Sequence, residues 1–289
     1  MDYKQLTNSI LQKCPEAVKT AWKPIKAKNP NRTYGTKAKR ISKFGGNDPF
    51  RKNDFVWPVC DECDDEKSFL CQISLETLPA EMQDQINRHS GIFQFFYCTG
   101  CTPFPCFDDM NFISKEEMMP SLKSLVASFV YKKGLDTDDL PKSVQKFIAD
   151  WNEEIPCNED YQITENMVER WEPYKHREIP QAYEIIGRVL GKKLGLSDDY
   201  EVDIPDEPES DGESETIVTP QPGIKLGGYI NWCQGIEYPT CPDCDIEMTI
   251  PFLQFEKNEM CLYAWGDSGT GHITLCPTCY RPGMGWACC

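Results

Sequence analysis

Apolar residues along the chain cluster in short runs near its start and near its end. Ser68–Ile73 and Gly91–Tyr97 are brief and rich in aromatic residues, which indicates strands. Near the C-terminus, Met248–Gln254, Cys261–Trp265 and His272–Leu275 have the same character. We therefore expect two β-rich units, one in each part of the chain.

Helical periodicity occurs before and between these runs. Residues 2–23 carry apolar positions at helical spacing interrupted by Pro15, which predicts two short helices. Thr137–Trp151 predicts a longer helix, and Pro180–Leu194 predicts another that ends at Gly195. The predicted fold class is therefore α+β, with helical N-terminal and central segments added to the two β-rich units.

Four landmarks occur twice in the same order. A Lys-x-Gly-Gly segment comes first, followed by a CxxC pair, a glutamine within a strand, and a second CxxC pair. The separations between landmarks are similar in the two copies, for example 14 and 13 residues from the second glycine to the first cysteine. This agreement predicts a tandem duplication. The landmarks are Lys43–Gly46, Cys60, Cys63, Gln72, Cys98 and Cys101 in one copy, and Lys225–Gly228, Cys241, Cys244, Gln254, Cys276 and Cys279 in the other.

Each copy holds four cysteines, the ligand number of a closed tetrahedral zinc site. A CxxC turn aims two sulfur atoms at one ion, so each copy predicts one knuckle pair and the chain about two zinc ions. Such a site leaves the metal no open position, which argues for a structural role and against zinc catalysis. In the first copy, Cys106 competes with Cys101 as the fourth ligand.

The net charge of −16 conceals an uneven distribution. Residues 1–52 carry 13 Lys/Arg against 3 Asp/Glu, whereas the rest of the chain carries 17 against 43. Asp198–Glu215 holds ten acidic residues and no basic one, which predicts a disordered acidic linker. The acidic body disfavours nucleic acid, and only the basic arm has the charge to bind it.

The sixteen cysteines accompany a polar N-terminus without a hydrophobic signal stretch, and no apolar run is long enough to span a bilayer. CxxC pairs in that context predict reduced thiolates on metal, and hence a cytoplasmic or nuclear protein.

These observations divide the chain into five segments. We predict a helical, basic arm over 1–40, the first zinc-bearing unit over 41–112, and a mostly helical insert over 113–197. The acidic linker covers 198–220, and the second zinc-bearing unit covers 221–289.

Catalytic signals are weak. Three histidines serve the whole chain and none belongs to a nucleophile motif. Trp265–Gly269 has the composition of an ordinary turn, with ligand contact as the alternative. An enzyme would need a cleft between the two units, around Trp232, Gln234, Asp267 and Gln72. No catalytic or cofactor-binding residue is assigned.

The repeat resembles the YwqG family of unknown function and is similar to the programmed-cell-death-2 proteins. The resemblance rests on the Gly-Gly, CxxC and Gln landmarks of both units, on Trp57-Pro58, and in the second unit on Trp232, Trp265–Gly269 and Trp286. It implies a duplicated α+β fold with the two halves packed together. It also implies a chaperone-like protein whose acidic surface masks a basic client.

We therefore expect a zinc-stabilised, non-enzymatic protein that binds a basic protein partner and no membrane. The alternative is an RNA- or ribosome-associated factor that uses the basic arm, and a weaker alternative is the enzyme with the cleft described above.

Overall fold

The structure is a computed structural model that describes residues 3–28, 40–46, 49–50, 55–107, 110–118, 142, 145, 165–185, 188–197, 217–261 and 263–288. This part of the chain is mostly β-strand with few helices. The strands are β1 Lys19–Lys26, β2 Lys43–Phe44, β3 Ser68–Ser74, β4 Ile92–Tyr97, β5 Met110–Ile113, β6 Asn166–Glu178, β7 Ile217–Val218, β8 Lys225–Gly227, β9 Ile250–Glu256, β10 Thr270–Leu275 and β11 Pro282–Ala287. The α-helices are α1 Tyr3–Lys13, α2 Ala80–Gln85, α3 Ala182–Ile185 and α4 Val189–Leu194, with 3-10 turns at Pro15–Ala17 and Leu75–Thr77.

One antiparallel sheet organises the described chain. Its strand order is β11-β10-β9-β8-β1-β6-β2-β3-β4-β5, and the short β7 pairs in parallel with β6. The two edge strands approach each other, because Cys106 forms an isolated antiparallel bridge with Met284 of β11. The sheet is therefore a nearly closed barrel.

The barrel interior holds the largest hydrophobic cluster. Phe93, Phe95 and Tyr97 of β4 face Phe252 and Phe255 of β9 across this core. The intervening residues of β4 are also buried, because smaller clusters around Phe50 and Trp57 cover the outer side of the strand. Burial on both faces explains why β4 is almost continuously apolar.

The two halves of the sheet have matching connections. β2-β3-β4-β5 and β8-β9-β10-β11 are both antiparallel meanders, and each begins at a Lys-x-Gly-Gly segment. Lys43 pairs with Gln72 in the first meander, and Lys225 pairs with Gln254 in the second. The landmarks of the repeat thus occupy equivalent register positions, while their origin by duplication stays a prediction.

The structure differs from the predicted helical arm and insert. α1 is a helix as expected, but Lys19–Lys26 forms the central strand β1, which pairs with β6 and β8. β6 itself lies within the segment predicted to be mostly helical. The period of buried positions in β6 is irregular, and tertiary pairing with β1 and β2 decides its conformation.

Three further predictions have mixed outcomes. Pro180–Leu194 forms two short helices, α3 and α4, and Gly195 ends α4 with a left-handed φ of 80°. Cys261–Trp265 contains no strand in its described residues, and Trp265 only bridges Gly269 across a turn. The predicted helix Thr137–Trp151, apart from residues 142 and 145, and the linker Asp198–Glu215 lie outside the described residues.

A separate apolar cluster joins the helices to the sheet. Leu6 and Ile10 of α1 pack with Ile179, Ile185 and Leu194. No helix within the described part of the chain is both long and apolar enough to cross a membrane.

Candidate metal centres

The eight predicted ligands form two groups of four. In each half, one CxxC turn precedes the first long strand and the other follows the second, so both lie at the same open end of a β-hairpin. Within each group the sulfur atoms all lie within 4.8 Å of one another. The groups are Cys60, Cys63, Cys98 and Cys101, and Cys241, Cys244, Cys276 and Cys279.

The sulfur separations are those that a tetrahedral zinc ion requires. Zinc–sulfur bonds of about 2.3 Å at tetrahedral angles place the sulfur atoms about 3.8 Å apart. The Sγ atoms of Cys63 and Cys98 are 3.7 Å apart. In the second group, Cys244 lies 3.3 Å from Cys276 and 3.9 Å from Cys279. Both four-cysteine groups are therefore compatible with zinc.

All four CxxC turns share one backbone conformation. The residue after the second cysteine has a positive φ between 48° and 58°, although none of these residues is glycine. Its N–H donates to the carbonyl of the first cysteine, which closes the turn. The bonds run from Asp64 to Cys60 (2.9 Å), Thr102 to Cys98 (3.0 Å), Asp245 to Cys241 (2.9 Å) and Tyr280 to Cys276 (3.0 Å).

Burial separates the two cysteines of each turn. The first cysteine is buried and the second lies nearer the surface, as with Cys276 at 0% exposure and the exposed Cys279. Backbone N–H groups point at the inner sulfur atoms: Cys101 N lies 3.3 Å from Cys98 Sγ, and Thr278 N lies 3.4 Å from Cys276 Sγ. Desolvation raises the pKa of Cys276, but N–H donors and neighbouring thiols outweigh it and lower that pKa to about 7. Such donors stabilise a thiolate, the form that binds metal.

Cys106 does not join the first group. Its backbone bridges Met284, and its side chain is 5% exposed at the barrel seam. Cys101, and not Cys106, lies in the group of four with Cys60, Cys63 and Cys98. Of the other described cysteines, Cys71 is a buried core residue at the register position of Leu253. Cys233, which belongs to none of the CxxC pairs, is disulfide-bonded.

The Gly-Gly turns beside the centres pack against glutamates that the sequence pattern did not reveal. Lys225 Nζ lies 2.6 Å from Glu178 Oε1, and both side chains are fully buried. Lys43 Nζ lies 2.7 Å from Glu165 in the corresponding place. Glu178 is the last residue of β6 and Glu165 precedes the first, so this strand serves both halves.

Glycine is required at these turns because a side chain would meet the glutamates. A Cβ on Gly228 would lie 2.3 Å from Glu178 Oε2, and a Cβ on Gly46 would lie 2.6 Å from Glu165 Oε2. Glycine at these positions thus lets the backbone approach the two carboxylates closely.

The residues of the predicted cleft differ in burial and surroundings. Gln72 is fully buried in the first half, where its Oε1 accepts a bond from Phe50 N (2.7 Å). Asp267 is exposed on its turn, and Gln234 borders a shallow depression of the second half. Trp232 is buried and packs edge-on against Tyr238, with ring centroids 4.9 Å apart.

Two titratable groups with altered pKa values lie near Trp232. Burial lowers the pKa of His272 to about 4, so this imidazole is neutral, and its ring centroid is 4.6 Å from that of Trp232. Burial also raises the pKa of Glu184, whose Oε1 accepts a hydrogen bond from Tyr238 Oη. Sequence reasoning missed both, since neither belongs to a motif.

Comparison with known proteins identifies one family. The family described as "Domain of unknown function (DUF1963)" matches residues 42–278, which is most of the chain and includes seven of the eight cysteines. No match is found among the curated proteins. The chain belongs to this family.

Proposed function

We propose that this family member is a zinc-stabilised, non-enzymatic protein that binds a basic protein partner in a chaperone-like manner. The observation that carries the proposal is an exposed acidic run on the first CxxC turn, formed by Asp61, Glu62, Asp64 and Asp65. A zinc ion held by four thiolates would add two negative charges at the same place, since the thiolates outweigh the dication. This surface would attract a cationic segment and repel acidic ones.

The corresponding turn of the second half is less negative. Asp243 forms an ion pair with Arg281 (2.6 Å), and Glu247 forms one with Arg188 (2.9 Å). Basic side chains of the protein itself thus neutralise part of the negative charge on that surface. We therefore place the partner on the first CxxC turn.

The RNA alternative is weakened by the partners of the basic arm. Lys13 donates to the carbonyl of Leu194 (3.2 Å), and Arg40 donates to the carbonyl of Met118 (2.9 Å). Lys19 Nζ lies 4.3 Å from the ring centroid of Tyr229. These side chains already have contacts within the protein, so fewer cations remain for phosphate groups.

The enzyme alternative is weakened by burial. Glu184 and His272 are 8% and 2% exposed, so a substrate cannot reach either group in this conformation. A perturbed pKa is found at structural positions as well as at catalytic ones.

Three finer points belong to this proposal. The matching meanders support an origin by duplication, and their landmarks support a relationship to the YwqG and programmed-cell-death-2 proteins. Paired thiols suited to metal support a cytoplasmic or nuclear location.

A capture experiment tests the partner. The full chain serves as bait beside a neutralised variant, Asp61→Asn, Glu62→Gln, Asp64→Asn and Asp65→Asn. A matched control neutralises four exposed carboxylates elsewhere, at Glu76, Glu81, Asp84 and Glu116. We expect basic proteins to be captured by the natural chain and by the control but lost from the first variant, as mass spectrometry would show.

Salt tests whether the complex is electrostatic, and the basic arm separates the two partner classes. Protein association through this surface should weaken between about 0.1 and 0.3 M salt, where the Debye length falls below about 10 Å. Exchanging the exposed Lys26 and Lys28 for Glu should leave the complex intact. If capture of the partner depends on these lysines and disappears after nuclease treatment, the RNA alternative is supported instead.

A further inference from the structure

Residues Thr102–Phe107 form a strap that leaves the first candidate metal centre and crosses to the second half of the sheet. The strap begins directly after Cys101, and the N–H of Thr102 donates to the carbonyl of Cys98 (3.0 Å). Tyr97 Oη donates to the carbonyl of Pro103 (3.0 Å). The start of the strap is therefore fixed by the turn that carries two ligands of the first centre.

The middle of the strap closes the barrel seam. Cys106 N donates to Met284 O (3.1 Å), and Met284 N donates to Cys106 O (2.8 Å). Among the described residues, this is the one bridge that joins the edge of the first meander to β11. The strap thus holds together the two ends of the sheet.

Two aromatic side chains of the strap lie over glycines of β11. A Cβ on Gly283 would lie 3.1 Å from the Phe107 ring, and a Cβ on Gly285 would lie 3.4 Å from the Phe104 ring. The same Cβ atoms would also lie 2.6 Å from the Met248 sulfur and 2.7 Å from His272 Nε2, so both positions are tightly enclosed. The alternating glycines therefore form a shallow track on which the strap rests.

The far end of the strap reaches the second candidate centre. Phe107 packs against the cluster formed by Cys241, Met248 and Cys276. Cys241 and Cys276 are the two buried ligands of that centre, at 1% and 0% exposure. One six-residue segment thus starts at the ligands of the first group and packs against the cluster that contains the inner ligands of the second.

We propose that the strap couples the two metal centres, so that zinc at the first centre strengthens zinc binding at the second. This inference rests on the zinc occupancy assumed in the proposed function. Without zinc at the first centre, the Cys98–Cys101 turn loses its anchor and the strap gains conformational freedom. Phe107 then leaves Cys241 and Cys276 open to water and to competing ligands, which lowers their hold on the ion. Coupling of this kind acts in both directions.

The decisive variant empties the first centre through Cys63→Ser and Cys101→Ser in the full chain. Native mass spectrometry should then find one zinc ion, and equilibrium competition with a chelator of known affinity measures how tightly it is held. We expect affinity at the second centre to fall by about fivefold or more, the lower range of site-to-site coupling. Phe107→Ala should lower the zinc affinity of the second centre when all eight cysteines are present. In this variant, emptying the first centre should no longer change that affinity. Phe55→Ala is the control, because Phe55 is also half-buried but packs on Trp57 and Phe96, outside the strap.

A second measurement does not depend on the double variant being folded. Hydrogen exchange at the Met284 amide reports the seam, and in the natural chain it should accelerate as the chelator removes zinc from the first centre. If the natural chain binds two zinc ions, but emptying the first centre changes neither the affinity of the second nor the exchange at Met284, the coupling is overturned and the proposed function stands. A chain that binds no zinc at all would overturn both.

Discussion

The fully buried ion pair between Lys225 and Glu178 provides the sharpest test of the packing. Glu178 Oε1 accepts bonds from Lys225 Nζ (2.6 Å) and Gln221 N (3.1 Å), and Oε2 accepts one from Tyr229 N (2.8 Å). This carboxylate therefore joins β6 to the turn that opens the second meander. Glu178→Gln preserves the shape but leaves the lysine charge without a counter-ion.

The expected cost follows from burial. Removing one partner of a buried ion pair destabilises a protein by about 3–5 kcal/mol, because the remaining charge is neither solvated nor paired. Glu165→Gln is the matched control at the equivalent position of the first half. Its partner Lys43 is 2% exposed, but the Glu165 side chain is 33% exposed, so water can enter and the loss should be about 1–2 kcal/mol.

A double variant isolates the charge effect. Lys225→Met together with Glu178→Gln removes both charges while the glutamine oxygen still accepts from Tyr229 N. We expect this protein to recover most of the loss, since replacing both partners of a buried pair is often nearly neutral. Urea denaturation of the zinc-loaded full chain, followed by circular dichroism, measures each free energy of unfolding. If Glu178→Gln costs no more than Glu165→Gln, the reasoning from burial is refuted.

Three other outcomes are expected. Native mass spectrometry should show about two zinc ions per chain. Cys276→Ser should lose one zinc ion and several kcal/mol of stability, whereas the control Cys261→Ser, a buried cysteine that is not a predicted ligand, should keep both zinc ions. Gly228→Ala should destabilise the chain by more than about 2 kcal/mol in denaturant titration, because φ is +65° and the new Cβ would meet Glu178, while Gly195→Ala meets nothing within 4 Å and should cost less. His272 has a pKa of about 4 in the folded state, below its unfolded value of about 6.5, so its contribution to stability is present above pH 6.5 and is lost as pH falls towards 4. The difference in unfolding free energy between the natural chain and His272→Gln should change by about 1–3 kcal/mol over that window, and a constant difference would contradict the assignment.

The candidate metal centres could be predicted from the sequence because the CxxC motif is a local signal. A CxxC turn needs only four residues, and the spacing between turns predicts intervening strands whatever their partners. The strands β3, β4, β9 and β10 also have short, distinct apolar runs, and all four are confirmed. Asp64 and Asp245 even fit the left-handed position of their turns, since Asp tolerates it better than most residues. Thr102 and Tyr280 occupy the same position and give no such signal.

The centre of the sheet could not be predicted in the same way. β1 is rich in lysine and contains Pro24, and it lies next to the exposed, charged positions of β6. The lysines of Lys19–Lys26 led to the prediction of a basic arm, because the strands that pair with this segment are distant in sequence. Trp22, for example, pairs with Pro173 and with Leu226, about 150 and 200 residues away. The two long-range pairings override the local preference of the segment.

The position of β6 explains why the two meanders depend on one strand. Each meander begins with a lysine that is 2% exposed or less, and burying an unpaired ammonium group is too costly for a stable fold. The counter-charges do not come from the meanders themselves: Glu165 and Glu178 stand at opposite ends of β6, and each approaches one Gly-Gly turn. Because the register of β6 sets both contacts, a slip of one residue would leave the buried lysines of both halves without a counter-charge. The two ion pairs therefore fix the register of β6 as well as the start of each meander.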